Sequence, residues 1–199
     1  MRHHIGIALL ALLLLTPGCN PSGKVDAYAA NIAPLIEPSK LATLQDRAAN
    51  PRVQKATFWL AAAQLDSTDA KAVATQAVRR AGYSPAAARM TADALIRNLT
   101  IAEQLGCLDS GGFSEMRQGR APTVRRGPYA GDQLSVDHII PVAISHELRS
   151  TIANLELMPQ RMNSAKGAKT GQRQRDLAQK LYGAGLLSER GYHAVIAAR

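Results

Sequence analysis

Asp137-His138 is followed directly by Ile139-Ile140-Pro141. Sixteen positions after His138 stands Asn154, which opens Asn154-Leu155-Glu156-Leu157; nine positions later comes Asn163, and then Lys166. A histidine titrates close to neutral pH and suits general-base work on water. A carboxylate and an amide oxygen are ligands that a hard divalent cation prefers. Such a cation neutralises a phosphate and steadies a leaving oxygen. These are the needs of phosphodiester hydrolysis, and the residue types are all present within one short stretch. Singly, each also has a structural use: His138 as a satisfied core histidine, Asp137 as a turn former, Asn154 as a strand-end residue, Asn163 as a helix N-terminal residue. The joint spacing is what points to chemistry.

Distant positions must be brought together by the elements that carry them. Residues 133–137 place Leu134 and Val136 between polar neighbours, the alternation of a short strand. Residues 154–158 do the same with Leu155 and Leu157. A helix is expected to open near Gln160, with two more at about 171–182 and 188–198. The order is strand, loop, strand, helix.

On these residues the chain resembles the HNH (His-Me finger) endonuclease family. The resemblance rests on Val136-Asp137-His138-Ile139-Ile140-Pro141, Asn154-Leu155-Glu156-Leu157, Asn163 and Lys166, with the lead-in Arg126-Gly127-Pro128-Tyr129. It spans about residues 125–170, under a quarter of the chain. It implies a ββα-metal unit in which His138 is the general base, Asp137 and Asn163 bind the metal, and Asn154 braces the loop that holds His138. It also implies a product with a 5′-phosphate and a 3′-hydroxyl. Asn163 stands where the third motif letter is His, which tilts the expected metal towards Mg²⁺. The Cys-x-x-Cys pairs that staple some members are missing, so flanking helices must stabilise the unit.

The surroundings are basic. The 199 residues carry a net charge of +9, which favours a polyanionic partner, either nucleic acid or an anionic membrane surface; of the nucleic acids, DNA is expected in preference to RNA. Residues 158–180 hold Arg161, Lys166, Lys169, Arg173, Arg175 and Lys180 against Asp176 alone. With Arg125 and Arg126, the residues Arg161, Lys166, Lys169 and Arg173 are expected to form a phosphate track; a merely solvated helix face is the alternative. No helix-turn-helix, zinc finger or aromatic ladder is visible for reading bases, so little sequence specificity is expected. His146 and His193 have no motif support.

Residues 1–19 read as an export signal, with Arg2, an apolar run of 11 residues at 5–15, and then Thr16-Pro17-Gly18-Cys19. The run is too short to span a bilayer. Its end resembles a bacterial lipobox, which implies a lipid on Cys19 and a membrane anchor facing the periplasm or exterior; an ordinary cleaved signal is the alternative. If Cys19 is lipidated, Cys107 is the only other cysteine and no internal disulfide can form. Prolines and Gly23 make residues 20–38 a tether, residues 39–105 read as helical, and residues 106–199 carry the nuclease unit. Within the helical region, Asn50-Pro51 and Ser84-Pro85 look like helix starts, and Gly82 ends the helix before it. Asn98-Leu99-Thr100 matches a glycosylation sequon but falls inside this helical pattern. Trp59 is expected to pack in the core, and the glycine-rich stretch after residue 105 is expected to be loop or short strand. With 46% apolar and 20% charged residues the chain is globular, and the fold class expected is α+β. Two other readings remain: a lipid-anchored protein that binds DNA or an anionic surface with an inactive site, and a structural protein of the cell envelope.

Overall fold

The computed structural model describes residues 21–167 and 170–198. Cys19 and the export signal lie outside the described residues, as does Lys169. The chain is α+β, with most described residues helical and one two-stranded antiparallel sheet.

The stretch expected to be a tether is a helix, α1 (Pro21–Ile36). Val25, Tyr28, Ala29, Ile32, Ala33 and Ile36 fall on one face at helical spacing, and Ala29, Ile32 and Ile36 are fully buried. Pro21 stands in the first turn, where a missing N–H does no harm. Pro38 instead opens the short helix α2 (Pro38–Ala42). Burial of this stripe outweighs the helix-breaking signal that the prolines give.

Helices α3 (Asn50–Leu65), α4 (Ala70–Arg80) and α5 (Pro85–Gln104) build the bundle with α1. Their contact faces are rich in alanine: Ala56, Ala63, Ala74, Ala77 and Ala94 are buried, so the backbones approach closely with few aromatics. The Ser84 hydroxyl caps α5 by accepting the Ala87 N–H at 3.4 Å. Helix α3 begins at Asn50 itself, with Ala49 as the N-cap residue. Beyond α4, Gly82 takes φ +82°, the left-handed turn that ends a helix. Trp59 packs edge-on against Phe58 and Tyr28, with ring centroids 5.0 and 6.4 Å away. Among the described residues no helix is long and apolar enough to cross a membrane.

After residue 105 the expected loop contains a helix, α6 (Ser110–Arg117). Asp109 caps it, its carboxylate accepting the Gly112 N–H at 2.6 Å. Phe113 and Met116 turn inward, so packing overrides the poor helix propensity of Gly111 and Gly112.

Strand β1 (Leu134–His138) pairs with β2 (Leu155–Pro159), with Val136 opposite Leu157, Asp137 opposite Glu156 and His138 opposite Leu155. Both strands lie one residue later than the alternation placed them. Leu134, Val136, Leu155 and Leu157 join the same core as α1, α3, α4 and α5. The other face of the hairpin, with Ser135, Asp137, Glu156 and Met158, lies towards α7 (Gln160–Lys166) and the start of α8 (Gln172–Gly183). Helix α9 (Glu189–Ala197) closes a smaller cluster in which Ile140, Leu148, Ala178, Leu181 and Val195 are buried together.

Candidate active site

His138 ends β1, and its ring reaches into the loop that joins the strands. His138 Nε2 lies 2.7 Å from the carbonyl oxygen of Arg149. A carbonyl only accepts, so Nε2 carries a hydrogen, and in the neutral ring the lone pair is then on Nδ1.

That loop is fixed by Asn154, which is fully buried. Its Oδ1 accepts the Ile140 N–H at 2.8 Å, and its Nδ2 donates to the Ile140 carbonyl at 3.0 Å and the Leu148 carbonyl at 3.5 Å. One amide therefore pins both the segment just after His138 and the segment just before Arg149. Gln174 of α8 adds a third fastening, donating to the Ile139 carbonyl at 3.2 Å.

Asp137 points to the opposite face from the core and is largely buried, with its side chain 14% exposed. The Lys166 ammonium, from the last turn of α7, donates to the Asp137 carboxylate, to the His138 carbonyl at 2.7 Å and to the Ile139 carbonyl at 3.4 Å. Oxygen atoms of three consecutive residues thus converge on one cation. This donor set, one carboxylate and two carbonyls, suits a hard cation. Asn163 lies one turn before Lys166 on α7. Its Nδ2 donates to Ser135 Oγ at 3.3 Å, so it faces the same side of β1 as Asp137 but two residues earlier. Its amide oxygen accepts no hydrogen bond among the described residues. Lys166 therefore joins the Asp137 carboxylate to the backbone carbonyls of His138 and Ile139, with Asn163 near by on Ser135, while the His138 imidazole takes the Arg149 carbonyl. Among the described residues no three His, Cys, Asp or Glu side chains group as a metal cage; the donors here are one carboxylate, carbonyls and an amide.

Glu156 is the charged neighbour that the spacing argument left without a role. It stands opposite Asp137 across the hairpin, its side chain 9% exposed. Two carboxylates placed so closely repel unless each has its own cation. Arg173 Nη2 lies 2.5 Å from Glu156 Oε1, and Arg97 Nε 3.5 Å from the same oxygen. Burial pulls the Arg97 guanidinium below its ordinary value, and the Glu156 carboxylate opposes that pull. The signal for Glu156 was present in the sequence: it is the one charged residue between Leu155 and Leu157. Arg97 carried none, because it meets β2 only through the fold.

The expected phosphate track is only partly assembled. Arg173 is held by Glu156, Lys166 by Asp137, Arg125 by Asp109 at 3.0 Å, and Arg161 by Asp132 at 3.5 Å with its guanidinium over the Tyr129 ring. The Asp132 carboxyl is held below its usual range, first by the Arg161 N–H. Arg125, Arg161 and Arg173 keep more than half of their side-chain surface exposed, so free N–H groups remain. Arg126 has no ion pair among the described residues. Arg125 and Arg126 line a separate cavity with Gly106, Leu108 and Phe113, away from Asp137. His146 is exposed near Arg149, and His193 is exposed on α9.

No family model, no curated protein and no solved structure matches the chain.

Proposed function

We propose that the chain is an exported, lipid-anchored endonuclease that uses a divalent metal to hydrolyse nucleic-acid phosphodiester bonds, DNA in preference to RNA, with little sequence specificity. One observation carries the reading. The His138 ring is held by the Arg149 carbonyl, on a loop braced by Asn154, and the Asp137 carboxylate and the His138 backbone carbonyl on the same strand hold a cation, the Lys166 ammonium.

Nδ1 takes the proton of the attacking water, and the Arg149 carbonyl holds the Nε2–H while the ring becomes cationic. Asp137 and Asn163 would hold the cation, Mg²⁺ by the hardness of those oxygens. When bound, it neutralises the phosphate and steadies the leaving oxygen. Arg173, oriented by Glu156, and the exposed Arg161 contact flanking phosphates, which gives affinity without reading bases.

The test is digestion of plasmid DNA by residues 20–199 with Mg²⁺ and with chelator. Cleavage should require the metal, and His138→Ala should slow it by about 10²–10⁴-fold. A variant as fast as the parent removes His138 as the base, and cleavage undiminished by chelator removes the metal. Retention of DNA without any cutting would favour the binding-only reading. Separately, Cys19→Ser should release the protein from the membrane fraction.

A further inference from the structure

We infer that Lys166 is a built-in counter-cation, which fills the cation position at Asp137 until nucleic acid arrives and then exchanges Asp137 for a substrate phosphate. The inference rests on the nuclease reading above and names how that site is regulated.

Three features lead to it. First, the ammonium makes three contacts to oxygens of residues 137–139, spending its whole donor set there. A divalent cation on the same carboxylate would meet this positive charge at close range, in a largely buried position where repulsion is screened little. Occupation by the two cations is therefore competitive. Second, among the described residues no other carboxylate contacts the Lys166 ammonium as it sits on Asp137. Glu156, directly across the hairpin, is already neutralised by Arg173 and Arg97. Third, Lys166 sits in the last turn of α7 and is followed by Gly167 at φ +61°, where the helix ends. Its long flexible stem can swing the ammonium without moving β1. The anion that draws it away must come from outside, and a phosphodiester beside His138 is the anion this site would receive.

Metal and nucleic acid should then bind with positive coupling, each favoured by the other to the same degree. The metal-free, substrate-free site stays neutral and stable. Without Lys166, Asp137 would be a largely buried charge with no ion-pair partner among the described residues.

The experiment measures Mn²⁺ binding by electron paramagnetic resonance of the free ion, with residues 20–199 and no nucleic acid. The parent is compared with Lys166→Met and Lys166→Gln, the second retaining a hydrogen-bond donor in case the first folds poorly. Both variants should bind Mn²⁺ about tenfold or more tightly than the parent. Adding Asp137→Asn to either should erase the gain. In a His138→Ala background, a single-stranded oligonucleotide should tighten Mn²⁺ binding by the native chain and leave the Lys166→Met form unchanged. Unchanged or weaker Mn²⁺ binding in both Lys166 variants overturns the inference, as does equal tightening by oligonucleotide with and without Lys166. DNA cleavage by the parent tells the two failures apart. Cleavage without a gain in the variants sinks the counter-cation alone. A gain in the variants without parental cleavage sinks the nuclease reading and leaves the exchange at Asp137 supported.

Discussion

At the scale of single residues, Asn154 uses its amide oxygen and both amide hydrogens inside the protein, and water reaches none of them. Asn154→Asp keeps the shape and the acceptor for Ile140 but removes both donors and buries a charge. It should lower stability by about 1–3 kcal/mol, the scale of an unsatisfied buried group, and slow cleavage as His138 loses its fixed loop. Urea midpoints and single-turnover rates check the two effects; unaltered cleavage would show that the brace is dispensable. Cys107 makes a different prediction. Burial is the main cause that pushes its thiol from the ordinary 9.0 to about 11, with Asp109 adding to it. The unfolded thiol ionises first as pH rises, so the folded state is favoured fully below 9.0 and that advantage is lost by about 11. The urea midpoint should fall across this window, and Cys107→Ala should flatten part of the fall. Tyr83, raised to about 12 chiefly by burial, adds a fall of the same sign at higher pH.

At the scale of elements, two adjacent glycines in α6 make a sharp comparison. A Cβ on Gly112 would overlap the Cys107 carbonyl, which is backbone and cannot turn aside. A Cβ on Gly111 would meet the Asp109 carboxylate at 3.5 Å and the Arg125 guanidinium at 3.9 Å, both ordinary contacts. Gly112→Ala should therefore lower the melting temperature by several degrees. Gly111→Ala should be neutral or stabilise by about 0.4–1 kcal/mol through the unfolded chain. Thermal melts of the two variants decide it, and equal effects would refute the packing of α6 on Cys107. The same helix shows what the sequence could and could not reveal. Gly111 and Gly112 hid α6 because local propensity was read without the pocket that Phe113 and Met116 fill. Prolines hid α1 in the same way, although its apolar stripe was present. The strands were legible because alternation is a local pattern, as was the spacing of Asp137, His138, Asn154 and Asn163. The partners that complete the site were not legible: Arg97 and Asn98 meet β2 across 57–59 positions of chain, and no local pattern marks such a contact.

At the scale of the whole molecule, the hairpin that carries Asp137 and His138 is finished by the helical bundle. Two strands alone are marginally stable, and each outer edge here is met by a buried amide from a helix. Gln54 of α3 donates to the Leu134 carbonyl at 2.8 Å. Asn98 of α5 donates to the Leu155 carbonyl at 3.1 Å and accepts the Leu157 N–H at 2.9 Å, replacing a rung of a third strand. This use also leaves the sequon asparagine fully buried. The apolar face of the hairpin belongs to the same core as α1, α3, α4 and α5. Residues 106–199 alone would thus expose Leu134, Val136, Leu155 and Leu157 and leave the backbone groups of both edges without these partners. The expected outcome is that this fragment fails to unfold cooperatively and cuts no DNA, even though it contains every residue of the motif. Residues 20–199 should melt in one transition. Asn98→Ala in the longer chain is the finer probe. It orphans the Leu157 N–H in a dry edge, so stability should fall by about 1–3 kcal/mol, while the Arg97 contact to the Leu155 carbonyl remains. A fragment of residues 106–199 that melts cooperatively and cuts DNA at the full-length rate would show that the nuclease unit stands without the bundle, and would separate the two parts of the chain that the core joins.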